Sequence, residues 1–212
     1  MVELIPAILP KTFRDVEEGL MRLQGLARVV QIDLTAPGIL AGQELMPLWE
    51  EFDFEFDLMF EHPEREVLHL VDIGAARIII HERNEGALDA LQLVQDKRDG
   101  SLPLLVGIAL RAHDTPDVLQ PLAHLYDYVQ VMGIDHEGRQ GEPPDLHGKE
   151  IELIRALREQ FPDLIIQVDG AVAPHIHELV QAGANRLVVG SALTRAENPK
   201  AVYKALYTEA NR

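Results

Sequence analysis

The feature that most restricts this chain is a repeating unit: a short apolar run, a polar turn, a stretch with helical spacing, then another apolar run. Its clearest copy lies between Leu164 and Thr194. There an apolar run, Leu164–Val168, ends in Asp169-Gly170, and Val172, Ile176, Leu179 and Val180 follow at three- and four-residue spacing. Gly183 stops that helix, and a second run, Arg186–Val189, ends in Gly190-Ser191. Strands joined through a helix run parallel, because the crossover needs about a dozen residues or more. A chain built of such units closes into a barrel or forms an open doubly wound sheet.

Taken in order, the units continue from end to end. Strands are expected at Glu3–Leu9, Arg28–Asp33, Phe54–Phe60, Arg77–His81, Leu102–Leu110 and Tyr128–Ile134, ahead of the two in the terminal copy. Helices are expected on the face Phe13, Val16, Leu20 and Leu23, near Leu45–Glu50, and at Pro63–Ile73, where proline starts the helix. Others follow at Gly86–Asp96, Pro116–Leu125, Ile151–Gln160 and Pro199–Glu209, and Asp135–Gly148 reads as a long polar loop. Eight units in 212 residues average about 26 each, which matches a lean (β/α)8 TIM barrel spanning residues 1–212 as a single domain. The open sheet is the alternative, but no Gly-x-Gly-x-x-Gly turn follows the first strand.

Composition narrows the partners. A net charge of -16 disfavours nucleic acid and anionic membranes, and there is no apolar run of membrane-spanning length. Without cysteine there is no disulfide scaffold, and no basic, apolar leader follows Met1, so a cytoplasmic location is expected.

Polar residues gather where the strands end, which in a barrel is the rim that carries chemistry. Residues two apart on a strand share a face, so Gln31 and Asp33 point together; His81 ends strand four and Asp169 strand seven. Glu55, Asp57, Gln130 and Gln167 alternate onto the same barrel-facing side and need partners if buried. Two carboxylates can form an acid/base pair, or with histidine an oxygen/nitrogen metal site. The turns at Gly170 and Gly190-Ser191 can cradle a phosphate on backbone N–H groups. Each residue also has a plainer role open to it: the aspartates as helix caps, His81 as a satisfied rim residue, the glycines as ordinary turns.

Several segments resemble the ribulose-phosphate 3-epimerase family over nearly the full length. Pro6-Ala7-Ile8-Leu9 is similar to its Pro-Ser-Ile-Leu, Gln31-Ile32-Asp33 to its His-x-Asp, and Asp57-Leu58-Met59 to its His-Leu-Met. Ile78–His81 resembles a strand ending in a ligand histidine, and Gly107-Ile108-Ala109-Leu110 resembles Gly-x-Ala-Leu. Val168-Asp169-Gly170 and Val189-Gly190-Ser191-Ala192 are the nearest matches. The resemblance implies a 3-epimerase acting on a ketopentose phosphate, with Asp33 and Asp169 as acid and base. It implies a divalent metal (Zn, Mn, Fe or Mg) held by Asp33, His81, Asp169 and Gln31. It also implies that Ala7, Met59, Met132, Gly141, Gly170, Ala171, Gly190 and Ser191 contact the substrate, and a homo-oligomer is compatible with it.

The chain departs from that pattern at chosen places. Gln31 replaces a metal histidine, Ala7 a serine and Ala171 a glycine, and Asp135–Gly141 replaces the Gly-rich lid. An amide oxygen suits zinc less than imidazole does, so metal is expected to be weakly bound or absent as purified. Two functions from different classes follow: the epimerase, and a sugar-phosphate-binding barrel of altered specificity or without turnover. An Asp-x-Lys-x-x-Asp motif, the mark of decarboxylases on this barrel, does not occur at Asp57–His62.

Overall fold

The computed structural model describes residues 1–98, 103–135 and 146–212. Eight parallel strands close into a barrel in sequence order, with β1 paired to both β2 and β8. The strands are β1 (Glu3–Ile8), β2 (Val29–Leu34), β3 (Asp53–Leu58), β4 (Ala75–His81), β5 (Leu105–Leu110), β6 (Tyr128–Met132), β7 (Ile165–Asp169) and β8 (Arg186–Val189). The helices are α1 (Phe13–Leu23), α2 (Val67–Asp72), α3 (Ala87–Lys97), α4 (Lys149–Gln160), α5 (Ile176–Ala182), α6 (Ser191–Thr194) and α7 (Pro199–Ala210). The expected TIM barrel is therefore present. No described helix is long and apolar enough to cross a membrane.

The alternation in each strand sorts its residues between two environments. Outward-facing Val30, Ile32, Phe54, Phe56, Ile78, Ile80, Ile108 and Val131 are buried against the helix layer, which contributes Val16, Leu20, Leu91, Val94, Leu153, Leu157 and Leu179. Each such side chain contributes about 1.5–3 kcal/mol of burial, so this annulus is the main source of stability. α1 starts where Thr12 and Asp15 cap each other: Thr12 N–H donates to Asp15 Oδ2 at 2.8 Å, and Asp15 N–H to Thr12 Oγ1 at 3.3 Å.

Several helices differ from expectation, for reasons traceable to proline and glycine. The segment near Leu45–Glu50 forms turns rather than a helix, so β2 and β3 are joined without an intervening helix. Pro63–Ile73 divides into a 3₁₀ turn, Pro63–Arg65, and α2. Pro116–Leu125 is a 3₁₀ helix, Pro116–Leu122, because Pro121 has no N–H to donate and its ring crowds the preceding turn. Pro174 likewise turns the start of the seventh crossover into a 3₁₀ turn before α5, which Gly183 ends at φ 120°. α6, one turn directly after β8, was not expected.

Candidate active site

Strand register brings the polar residues into one column. Asp33 pairs with Asp57 across β2 and β3, Gln31 with Glu55, Gln130 with Gln167 across β6 and β7, and Met132 with Asp169. All face the barrel interior. Gln31, Glu55, Asp57, Gln130 and Gln167 are fully buried, and Asp33, His81 and Asp169 nearly so. A barrel interior is ordinarily filled by branched apolar side chains. Here a buried apolar part survives in Ile5, Ala7, Val29 and Val188 on one side, and in Ile79, Ala109, Tyr128 and Met132 on the other, with Met59, Leu105, Ile134 and Ile165 packed against the second.

Buried polar groups require partners, and these residues find them in one another, with the Gln167 Oε1 atom left over. Gln31 Nε2 donates to Asp33 Oδ1 at 2.8 Å and to Asp169 Oδ2 at 2.9 Å. His81 Nε2 lies 2.9 Å from Asp57 Oδ1, and Gln130 Nε2 donates to Asp57 Oδ2 at 2.7 Å. A carboxylate oxygen accepts, and the His81 tautomer with its hydrogen on Nε2 is the one that fits this contact. Toward the amino-terminal end of the barrel, Glu55 accepts from Tyr128 Oη and Gln167 Nε2, both at 2.8 Å, and an Arg77 nitrogen stands 3.5 Å away. Arg77 and Arg186 both reach Glu3, at 3.1 and 3.0 Å, and the Arg186 guanidinium covers the Tyr128 ring. Gly107 makes room for that ring: a Cβ there would come within 2.6 Å of it.

Crowding three carboxylates in a dry site has an electrostatic cost. Burial, and then the charge of Asp57, push the Asp169 carboxyl up to about 7, against the hydrogen bonds from Gln31 and Gly170 and the attraction of His81. Burial also raises Glu55, while Arg77, Tyr128 and Gln167 hold it back.

The same crowding suits a cation. Asp33, Asp57 and Asp169 each offer an oxygen, all within 4.8 Å of one another. Three oxygen donors without sulfur or imidazole fit a hard divalent ion. Two expected ligands stand elsewhere. His81 is not in this group but behind Asp57, one hydrogen bond away. Gln31 turns its nitrogen, not its oxygen, toward the carboxylates, because its oxygen is taken by Gln167 Nε2 at 3.1 Å. Asp57, which is not among the ligands expected from the sequence, belongs to this group, as its inward position and the Asp57-Leu58-Met59 match allow.

The remaining residues surround this centre. Met132 is buried within the apolar patch, Met59 packs against it, and Ala7 lines the opposite wall. Gly170 (φ 96°) and Ala171 (φ 49°) turn the chain after β7, and Gly190-Ser191 leads from β8 into α6. β7 and β8 are neighbours, so the two turns lie side by side at the carboxyl end of the barrel. Gly141 and the rest of 136–145 lie outside the described residues.

Comparison with known proteins places the chain as a whole. A family model described as the ribulose-phosphate 3 epimerase family matches residues 5–194. A ribulose-phosphate 3-epimerase of Schizosaccharomyces pombe is 31% identical over 160 residues, 74% of this chain but 66% of that protein, so the match spans just under two thirds of the relative. One from Aquifex aeolicus is 26% identical over 217 residues, covering 96% of this chain and 94% of its own. Among solved structures, KGPDC of Streptococcus mutans superposes with a TM-score of 0.76 at 13% identity, covering 100% of this chain and 98% of that one. That likeness concerns the fold alone.

Proposed function

The chain belongs to the ribulose-phosphate 3-epimerase family, and we propose that it is an isomerase that inverts C3 of a ketopentose phosphate such as ribulose 5-phosphate. The observation that carries this reading is the pair Asp33 and Asp169, carboxylates from β2 and β7 tied to one amide. One aspartate takes the C3 proton, the C2 carbonyl becomes an enediolate, and the other aspartate returns a proton to the opposite face of C3. Atoms and charge then balance, and the two carboxyls exchange states on each turnover. An acid/base group works best near the ambient pH, and the raised Asp169 carboxyl meets that condition.

The family generally uses a divalent metal, and Asp33, Asp57 and Asp169 would hold it here. Bound there, it would supply positive charge opposite the oxygens of the enediolate. The protein's own part is to orient those carboxylates through Gln31, Gln130 and His81, and to line the sugar site with Met59 and Met132. A phosphate group fits the paired turns of Gly170-Ala171 and Gly190-Ser191, held by backbone N–H groups, and TIM barrels often carry this group at a short extra helix such as α6. Local donors are necessary there because the overall field of a chain with net charge -16 opposes an anion.

Incubation with ribulose 5-phosphate in D₂O, with and without Mn²⁺ or Mg²⁺, tests the reading: deuterium should enter at C3 and xylulose 5-phosphate should form. Absence of exchange at high protein concentration under every metal would leave a sugar-phosphate-binding barrel without turnover. The cradle is tested separately. Gly190→Val should weaken binding of ribulose 5-phosphate and of inorganic phosphate by about tenfold or more, the effect of losing a charge-assisted contact of ~1.5 kcal/mol. Unchanged affinity would remove Gly190 from the account.

Cation binding should depend on pH. The Asp169 carboxyl, raised to about 7, holds a cation more tightly once it has lost its proton. Between pH 6 and pH 8 the ionised fraction rises about tenfold, so Mn²⁺ affinity measured by calorimetry should rise about tenfold as well. A flat profile over that range would show that Asp169 is not a ligand.

A further inference from the structure

One buried group takes no part in the acid/base scheme, yet touches the amides that bind the groups that do. Gln167, two residues before Asp169 on β7, is fully buried in the barrel interior. Its Nε2 lies 3.1 Å from Gln31 Oε1, 2.8 Å from Gln130 Oε1 and 2.8 Å from Glu55 Oε1, while its own Oε1 is buried without a hydrogen-bond partner. A primary amide has two N–H donors and one acceptor oxygen. Turned over, Gln167 would set its oxygen against three other oxygens, so only the observed orientation is electrostatically tolerable.

That orientation is passed on. The two N–H groups of Gln167 are shared among Gln31, Gln130 and Glu55, so the oxygens of both amides face a donor and their nitrogens turn to the carboxylates. Gln31 then bridges Asp33 and Asp169, and Gln130 holds Asp57. We propose that Gln167 is a positioning residue that sets the polarity of the site. It makes Gln31 a hydrogen-bond donor to the aspartates rather than an oxygen ligand to a cation, and so keeps the cation loosely held. The ion selected by three carboxylates under these conditions is a hard one, of the Mg²⁺ or Mn²⁺ class, in exchange with solvent. This rests on the reading of Asp33, Asp57 and Asp169 as the cation site, but not on turnover.

The test inverts the lock. In Gln167→Glu the introduced carboxyl shares a proton with Glu55, 2.8 Å from the present amide nitrogen, and accepts from Gln31 and Gln130, so Gln31 should rotate and turn its oxygen toward Asp33 and Asp169. Mn²⁺ binding, followed by electron paramagnetic resonance at pH 8, should tighten about tenfold or more, the scale on which changes around a ligand shell act. Added negative charge alone also attracts a cation, and the Gln31→Leu background separates the two effects. There the gain from Gln167→Glu should shrink to a few-fold. Gln167→Met, which removes the lock without adding charge and keeps the bulk, should tighten binding a few-fold if the first variant does not fold. Equal affinity in the native protein and the variants, including no binding by any of them at millimolar Mn²⁺, would overturn the proposal. So would a gain retained in full without Gln31. Failure of the epimerase reading would appear instead as missing deuterium exchange with the metal titrations unaffected.

Discussion

Asp169→Asn lowers deuterium incorporation at C3 of ribulose 5-phosphate by about 10²–10⁴-fold, the usual contribution of a positioned acid/base group. The substitution preserves shape, and an asparagine oxygen can still accept the Gln31 hydrogen bond now made to Oδ2 at 2.9 Å. Asp33→Asn should cost a similar factor, and the double variant little more, because the two groups act as one unit. Full exchange in either single variant would remove that aspartate from the mechanism. The same substitution changes how the metal-free protein responds to pH. The Asp169 carboxyl is raised from 3.8 to about 7 on folding, so folding takes up a proton between those values. Its contribution is therefore fully present below about pH 4 and is lost as pH rises through 7. Urea midpoints across pH 4–8 should show this fall in the native protein and a shallower one in Asp169→Asn.

Arg77→Met destabilises the barrel by about 3 kcal/mol or more at pH 8, the effect of leaving a buried charge without its partner. Glu55 is fully buried, Arg77 stands 3.5 Å from it, and the same guanidinium meets Glu3 at 3.1 Å. Tyr128 and Gln167 would remain as donors, so Glu55 is not stripped of all support. The sign of the pH dependence follows from Glu55. Burial already raises its carboxyl above 4.5, and removing Arg77 takes away the largest opposing influence. A folded-state carboxyl raised in this way is tolerated below its unfolded value and costs stability as pH rises. The variant should therefore lose most at pH 8 and much less at pH 5, where Glu55 can take up a proton. Equal losses at both values, by urea denaturation, would mean that the Arg77 side chain acts through packing alone.

Much of this molecule is legible in its sequence. The alternation of apolar runs with helically spaced ones allows few other outcomes than parallel strands with crossovers, and the missing glycine fingerprint after the first strand favoured closure. The period of two along each strand then placed Gln31, Asp33, Asp57, Gln130, Gln167 and Asp169 on one face, because side-chain direction in a strand is a local property. What proline does to a crossover is only partly legible in sequence: Pro63 marks a start, while Pro121 and Pro174 shorten or tighten their helices.

Register and partner choice belong to the closed barrel. That Asp57 joins Asp33 and Asp169 in one cluster while His81 stands behind it depends on how β3 and β4 meet, which no spacing along either strand reveals. The direction of the Gln31 amide is more remote still. It depends on Gln167, 136 positions away in sequence and 3.1 Å away in space. Sequence by itself determined which residues could carry charge into the barrel, since that follows from local period and residue type. Only the tertiary structure decided which of them face one another and which atom each presents, because in a dry interior every polar group must settle its hydrogen bonds against all its neighbours at once.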